Sequence, residues 1–268
     1  MKALKKSLLA VAATTLLSIG TSAQAGIIID LFDGGITQVA STGTVGVAGT
    51  DFNQAGPGLV GVIGGWRDLS ITKLSDEVAP AGSVTNFTAA GGVLDLSNPT
   101  GNTSLGVVTW DGANNAGVQG LGVNPFGLGG IDLTAGGANA LLAQIVAADL
   151  GFDYKIRVWD MLGSTSTLSA SVQDLILPSM NASADYQFNW FNLANGSHFE
   201  GGLSFDISRT GIIDFTQIGA LQLELSNAST ISVDLAIGEI NAIPEPGTLA
   251  LVGAALFGVA AAGRRRKA

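Results

Sequence analysis

The chain has 268 residues with no cysteine, one histidine, 38 glycines and a formal net charge of −9. Without cysteine, disulfide staples, thiolate zinc sites and cysteine nucleophiles are excluded, and a lone histidine excludes a zinc site built from several imidazoles. The acidic balance opposes nucleic acid, whose binding needs Lys and Arg at the phosphates.

At the start of the chain, Lys2, Lys5 and Lys6 precede an uncharged, mostly apolar run from Ser7 to Gly20, and Ala23-Gln24-Ala25 offers small side chains for cleavage. This is the layout of a secretory signal peptide. Residues 1–25 are therefore set apart from the fold, Gly26 is the expected mature start, and signal peptidase and the secretion machinery are the implied partners.

Residues 26–242 form the body, 217 residues long, enough for one domain to bury a core without staples. It holds five Lys or Arg (Arg67, Lys73, Lys155, Arg157 and Arg209) against twenty Asp or Glu, a net charge of −15. Such a charge keeps a secreted protein soluble and attracts divalent cations.

Ile27 to Phe32 predicts a first strand closed by Asp33-Gly34-Gly35. Val39 to Gly64 is low in complexity and predicts loop or weak edge strands. In Trp66 to Leu74, Leu69 and Ile71 share one face while Asp68, Ser70 and Thr72 share the other. Gly92 to Leu96 and Ser104 to Trp110 are further strands, the second ended by Asp111-Gly112. Gly117 to Gly137 predicts a glycine-punctuated loop. Asn139 to Leu150 fits a helix and a two-sided strand equally well by periodicity, and its strand neighbours favour a buried strand.

Phe152 to Trp159 has the clearest period of two. Phe152, Tyr154, Ile156 and Val158 should face the core, with Asp153, Lys155, Arg157 and Trp159 outward. Leu203, Phe205 and Ile207 alternate with Ser204, Asp206 and Ser208, and Leu221, Leu223 and Leu225 with Gln222 and Glu224. Ile231, Val233, Leu235 and Ile237 close the body. Strand-helix-strand alternation and fixed-period repeats are both missing. The pattern predicts an all-β fold, a two-sheet antiparallel sandwich of jelly-roll type, followed by a single C-terminal hydrophobic helix.

The chemistry of the body is sparse. His198 sits among Asn195, Gly196 and Ser197, and no G-x-S-x-G precedes a helical pattern, so a serine hydrolase is not indicated. Gly120-Leu121-Gly122-Val123-Asn124-Pro125 begins like a dinucleotide loop, but Pro125 stands at its third glycine position. Glycoside hydrolysis needs two carboxylates at a set separation, and no motif marks such a pair. The body thus reads as non-enzymatic, with no cofactor beyond a structural calcium. Asp30 with Asp33, or Asp111 with Asn114, would supply hard oxygens for that ion, although Asx turns explain the same residues. Of Trp66, Trp110, Trp159 and Trp190, Trp159 is the one placed outward, in line with Arg157 and Asp153. An aromatic plane flanked by such groups suits a sugar ring. Five N-x-S/T matches occur, at Asn86, Asn102, Asn181, Asn195 and Asn227.

The chain ends in residues 243–268. Pro244-Glu245-Pro246 leads into an uncharged run to Gly263, followed by Arg264, Arg265, Arg266 and Lys267. From Pro246 to Gly263 a helix would be about 27 Å long, close to the hydrocarbon thickness of a bilayer. The cations behind it hold that end on the cytoplasmic side. Pro-Glu-Pro, an Ala/Gly/Leu-rich span and a terminal Arg cluster in this order resemble the PEP-CTERM sorting signal of Gram-negative bacteria. The resemblance implies that the precursor is held in the inner membrane until an exosortase cuts near Pro244, Glu245 and Pro246. The body then moves to the cell surface or an exopolysaccharide matrix. A permanent membrane anchor is the plainer alternative for the same residues.

Asp149-Leu150-Gly151-Phe152 and Asp214-Phe215-Thr216-Gln217-Ile218-Gly219-Ala220-Leu221 also resemble, loosely, pieces of the galactose-binding-like jelly rolls of carbohydrate-binding modules. This resemblance implies a fold and carries no site residue. The expected function is an exported, exosortase-sorted protein with a structural or glycan-binding role, extracellular polysaccharide being the implied ligand. An exported glycan-active hydrolase is the rival.

Overall fold

The computed structural model describes residues 26–52, 59–76, 82–113, 122–148, 151–172, 184–189, 198–200, 203–227 and 234–243. Fifteen strands lie within these residues, in two antiparallel sheets packed face to face. Sheet A runs β11 (Ala184–Asn189), β8 (Ala140–Ala148), β15 (Asp234–Ile243), β6 (Val93–Ser97), β5 (Asn86–Ala90), β2 (Thr37–Ala40), with β1 (Ile27–Asp30) also paired to β15. Sheet B runs β12 (His198–Glu200), β13 (Leu203–Thr210), β10 (Thr165–Val172), β9 (Phe152–Asp160), β14 (Ile218–Ser226), β7 (Thr103–Trp110), β4 (Asp68–Ser75), β3 (Ala48–Phe52). The all-β, two-sheet antiparallel sandwich expected from the sequence is what forms. The C-terminal helix falls outside the described residues.

Alternation builds the layers. In β9, Phe152, Tyr154, Ile156 and Val158 are buried while Asp153, Lys155, Arg157 and Trp159 are partly exposed, as the period of two requires. Leu94 and Leu96 of β6, Leu235 and Ile237 of β15, and Leu221 and Leu223 of β14 join the same core. The ambiguous segment is a strand, β8, with Ile145 buried and Val146 exposed. β2 and β3 are edge strands of the two sheets, in keeping with the weak signal between Val39 and Gly64.

Two expectations change. The first strand stops at Asp30, before Phe32, because the Asp30 carboxylate accepts the Phe32 amide at 2.8 Å and Phe32 turns to a positive φ of 54°. The Phe32 ring is buried beneath the Arg67 guanidinium, 5.2 Å from its centroid. In β4 and β14 the faces are as expected, but Asp68, Ser70, Gln222 and Glu224 are buried on the outward side. They lie on central strands of a wide sheet, where flanking side chains cover one another.

The two ends of the sandwich differ. At the end where β15 runs out at Ile243, Ile131 bridges Ile218 of sheet B and the Asn139 amide donates to the Ile243 carbonyl of sheet A. The segment between them therefore crosses from sheet to sheet, and this is termed the exit end. At the opposite end the Asn98 amide donates to Asp234, and buried Asn227 ties β14 to Ser104 of β7.

Candidate functional site

Sheet B turns one face to the core and the other outward. Cross-strand register places Trp159, Arg157, Lys155 and Asp153 of β9 beside Ala220, Gln222, Glu224 and Ser226 of β14. On the other flank they meet Thr165, Thr167 and Ser169 of β10. The row from Asp153 to Trp159 covers about 20 Å at the usual rise of a strand. The structure thus brings together the three residues that the sequence singled out, Trp159, Arg157 and Asp153, on a hydroxyl-rich face.

The centre of that face is a charge network that sequence reading missed. Arg157 Nη1 pairs with Glu224 and also donates to Gln222 Oε1 at 2.9 Å, while Lys155 Nζ lies 3.3 Å from Glu224 Oε2. Gln222 Nε2 in turn donates to Thr109 Oγ1 at 2.9 Å. Glu224 is nearly buried, whereas Arg157 and Lys155 keep part of their length in solvent. Buried between two cations, Glu224 fixes where both stand. The alternation of Gln222 and Glu224 with three leucines was the available signal, since it put them opposite β9, but register is not written locally.

The other candidates separate. Asp30 is wholly buried and binds Arg67 by a two-pronged ion pair, at 2.6 Å from Nε and 2.5 Å from Nη2. Its oxygens also accept Trp110 Nε1 at 2.7 Å and the Phe32 amide at 2.8 Å. Asp33 is exposed, so the two do not share an environment. Asp111 spends its oxygens on the amides of Ala113 and Asn124, at 3.1 and 2.7 Å, and Asn114 lies outside the described residues. Asp160, also buried, holds the turn after β9 by accepting the amides of Leu162, Ser164 and Asp214. Among the described residues no group of three or more His, Cys, Asp or Glu gathers around a point.

Among the described residues, two carboxyl groups are shifted from their ordinary value. Asp95 on the outward side of β6 is pushed up, first by partial burial and second by the carboxylate of Asp234 on β15. Asp214 is held down by the Thr216 hydroxyl and then by the Thr216 amide. Trp110 is in the core, Trp66 is half-buried, and Trp190 lies outside the described residues. Asn102 and Asn227 are buried, so neither N-x-S/T match presents its amide outward. The side chain of His198 is likewise outside what is described.

The processing residues meet at the exit end. Gly26 lies against the last turn of the ladder between β1 and β15, where a Cβ would overlap the Ala242 carbonyl oxygen. The expected mature start and the departure of the tail are thus side by side. Ala23, Ala25, Pro244, Glu245, Pro246, Arg264, Arg265, Arg266 and Lys267 lie outside the described residues. Among the described residues no helix is long and apolar enough to cross a membrane.

No curated protein matches the chain at a meaningful level. Residues 242–267, which start with the last two residues of β15 and take in Pro-Glu-Pro, the apolar run and the Arg cluster, match a known motif. That motif is the PEP-CTERM protein-sorting motif, and the chain is an exported protein sorted by exosortase toward the cell surface.

Proposed function

We propose that the body is a non-enzymatic sandwich released to the cell surface or the exopolysaccharide matrix, where the outward face of sheet B takes polysaccharide. The observation that supports this reading is the row of Trp159, Arg157, Lys155 and Asp153 across half-exposed β9, next to the hydroxyls of β10. An indole plane stacks on a sugar ring, and the guanidinium, ammonium and carboxylate hydrogen-bond its hydroxyls. Glu224 and Gln222 hold Arg157 from below, so little side-chain freedom is lost on binding. The test is retention of the secreted protein on the exopolysaccharide of the producing cell. Trp159→Ala should weaken retention about tenfold, the scale of one lost stacking contact, at unchanged melting temperature. Equal retention of both proteins would end the glycan reading.

One observation favours the hydrolase rival: Asp95, pushed up by burial and then by the nearby Asp234 carboxylate, has a second carboxyl close by, and glycoside hydrolysis uses two. New reducing ends from the native matrix, lost in Asp95→Asn, would establish it. The anchor rival is decided by mass spectrometry of the mature C-terminus in strains with and without the exosortase. An intact Arg264 to Lys267 in both strains means permanent retention.

A further inference from the structure

Five large apolar side chains stand out of the described surface: Val60, Ile212, Leu162 and Ile36 are 73–83% exposed, and Phe126 is 50% exposed. No other large apolar residue among the described ones exceeds 46%. All five belong to loops at the exit end. Leu162 is in the turn after β9 and Ile212 follows the end of β13, whose Thr210 pairs with Thr165. Phe126 sits against the start of β14, because the neighbouring Leu128 amide donates to the Gly219 carbonyl at 2.9 Å. Val60 precedes Gly61 and Val62, which bond Leu31 and bridge Asp30, and Ile36 leads into Thr37, a partner of Arg67. At the opposite end Val45, Val47 and Val84 reach only 40–46%, so the strongest apolar exposure gathers at the exit end and calls for a covering surface there.

The chain itself says which. β15 ends at Ile243, and only Pro244, Glu245 and Pro246 separate it from the uncharged run that begins at Gly247. Three extended residues reach at most about 10 Å. While that run is in the bilayer, the exit end stays within about 10 Å of where the run enters it. Gly26, packed beside Ala242, brings the signal peptide to the same place before its removal.

We infer that the exit end is a lipid-docking face: in the precursor Phe126, Leu162 and Ile212, with Ile36 and Val60, press into the bilayer surface and hold the Pro-Glu-Pro segment at the lipid–water boundary. This rests on the reading of the tail as a bilayer-inserted precursor segment. Loop-borne apolar side chains immerse to the boundary of headgroups and acyl chains without spanning it. The exposed carboxylates Asp33 and Asp132 at the same end make a zwitterionic surface the fitting one.

The chain lacks cysteine, so single labelled cysteines report without interference. The full chain, reconstituted in phosphatidylcholine vesicles with and without doxyl-labelled phosphatidylcholine, would carry an environment-sensitive fluorophore at Leu162→Cys, Ile212→Cys, Val47→Cys or Ala255→Cys. Val47 is at the opposite end, and Ala255 is in the apolar run. The expected result is at least twofold quenching at 162 and 212, strong quenching at 255 and none at 47. Quenching at 255 with none at 162 and 212 overturns the docking face alone. A blue shift at 162 and 212 without quenching reveals a protein surface there, such as a second copy, and overturns it too. No quenching at 255 removes the membrane-inserted tail, and the docking face falls with it.

Discussion

Arg67 and Asp30 face each other across a two-pronged ion pair from which solvent is excluded on both sides. Arg67 leads into β4 of sheet B and Asp30 ends β1 of sheet A, so the pair joins the two sheets near the exit end. Two ions taken out of water repay their desolvation only when every polar atom has a partner. Here Thr37, Trp110 and the Phe32 amide supply the remainder.

Arg67→Leu should cost about 3–5 kcal/mol, because it leaves a buried carboxylate without its counter-charge. Asp30→Asn in the same background should recover part of the loss. Urea unfolding of the three proteins measures both. A loss below 1 kcal/mol for Arg67→Leu would show that the pair is solvated.

Asp95 makes stability depend on pH. Its folded-state pKa is raised above the ordinary 3.8, so the folded protein holds this proton more tightly than the unfolded chain does. Its stabilising contribution is complete below the unfolded value and is lost as pH rises through the raised folded value. Asp95→Asn should therefore be more stable than the parent at pH 7 and should lack the decline that sets in above the ordinary value of 3.8. Melting temperatures of both proteins from acidic to neutral pH check it; identical profiles would contradict the upward shift.

Gly219, the second residue of β14, lies where the chain passes beneath the 125–128 turn, and a Cβ there would overlap the Pro125 carbonyl oxygen. Neither backbone can yield without breaking the Leu128–Gly219 hydrogen bond. Gly219→Ala should cost about 1–3 kcal/mol, the usual scale for overpacking. Since Phe126 belongs to the same turn, the variant should also reduce lipid quenching at the exit end.

Calcium should leave the melting temperature where EDTA leaves it. Arg67 Nε and Nη2, Trp110 Nε1 and the Phe32 amide together fill the acceptor positions of the Asp30 carboxylate. A calcium-dependent rise would place an ion elsewhere in the body and refute this expectation.

The sequence by itself determined the sorting motif at the C-terminus, the acidic body and the alternation of β9. These features are local: charge beside an apolar run, or period two along one strand. The Gly91-Gly92 turn between β5 and β6 was equally local, a two-residue hairpin loop with both residues at positive φ, but β5 escaped notice because its inward residues are only Phe87 and Ala89. Only the tertiary structure decided what each outward residue meets. Glu224 lies 67 positions from Arg157, and Trp110 lies 80 from Asp30. Alternation states which face a side chain occupies; register and sheet order, fixed by burial over the whole chain, decide its neighbours. For that reason Asp30, read from sequence as an oxygen ligand, is the anion of a buried ion pair. Phe126, Leu162, Ile212, Ile36 and Val60, scattered in the sequence, become one apolar end beside the exit of the sorting tail.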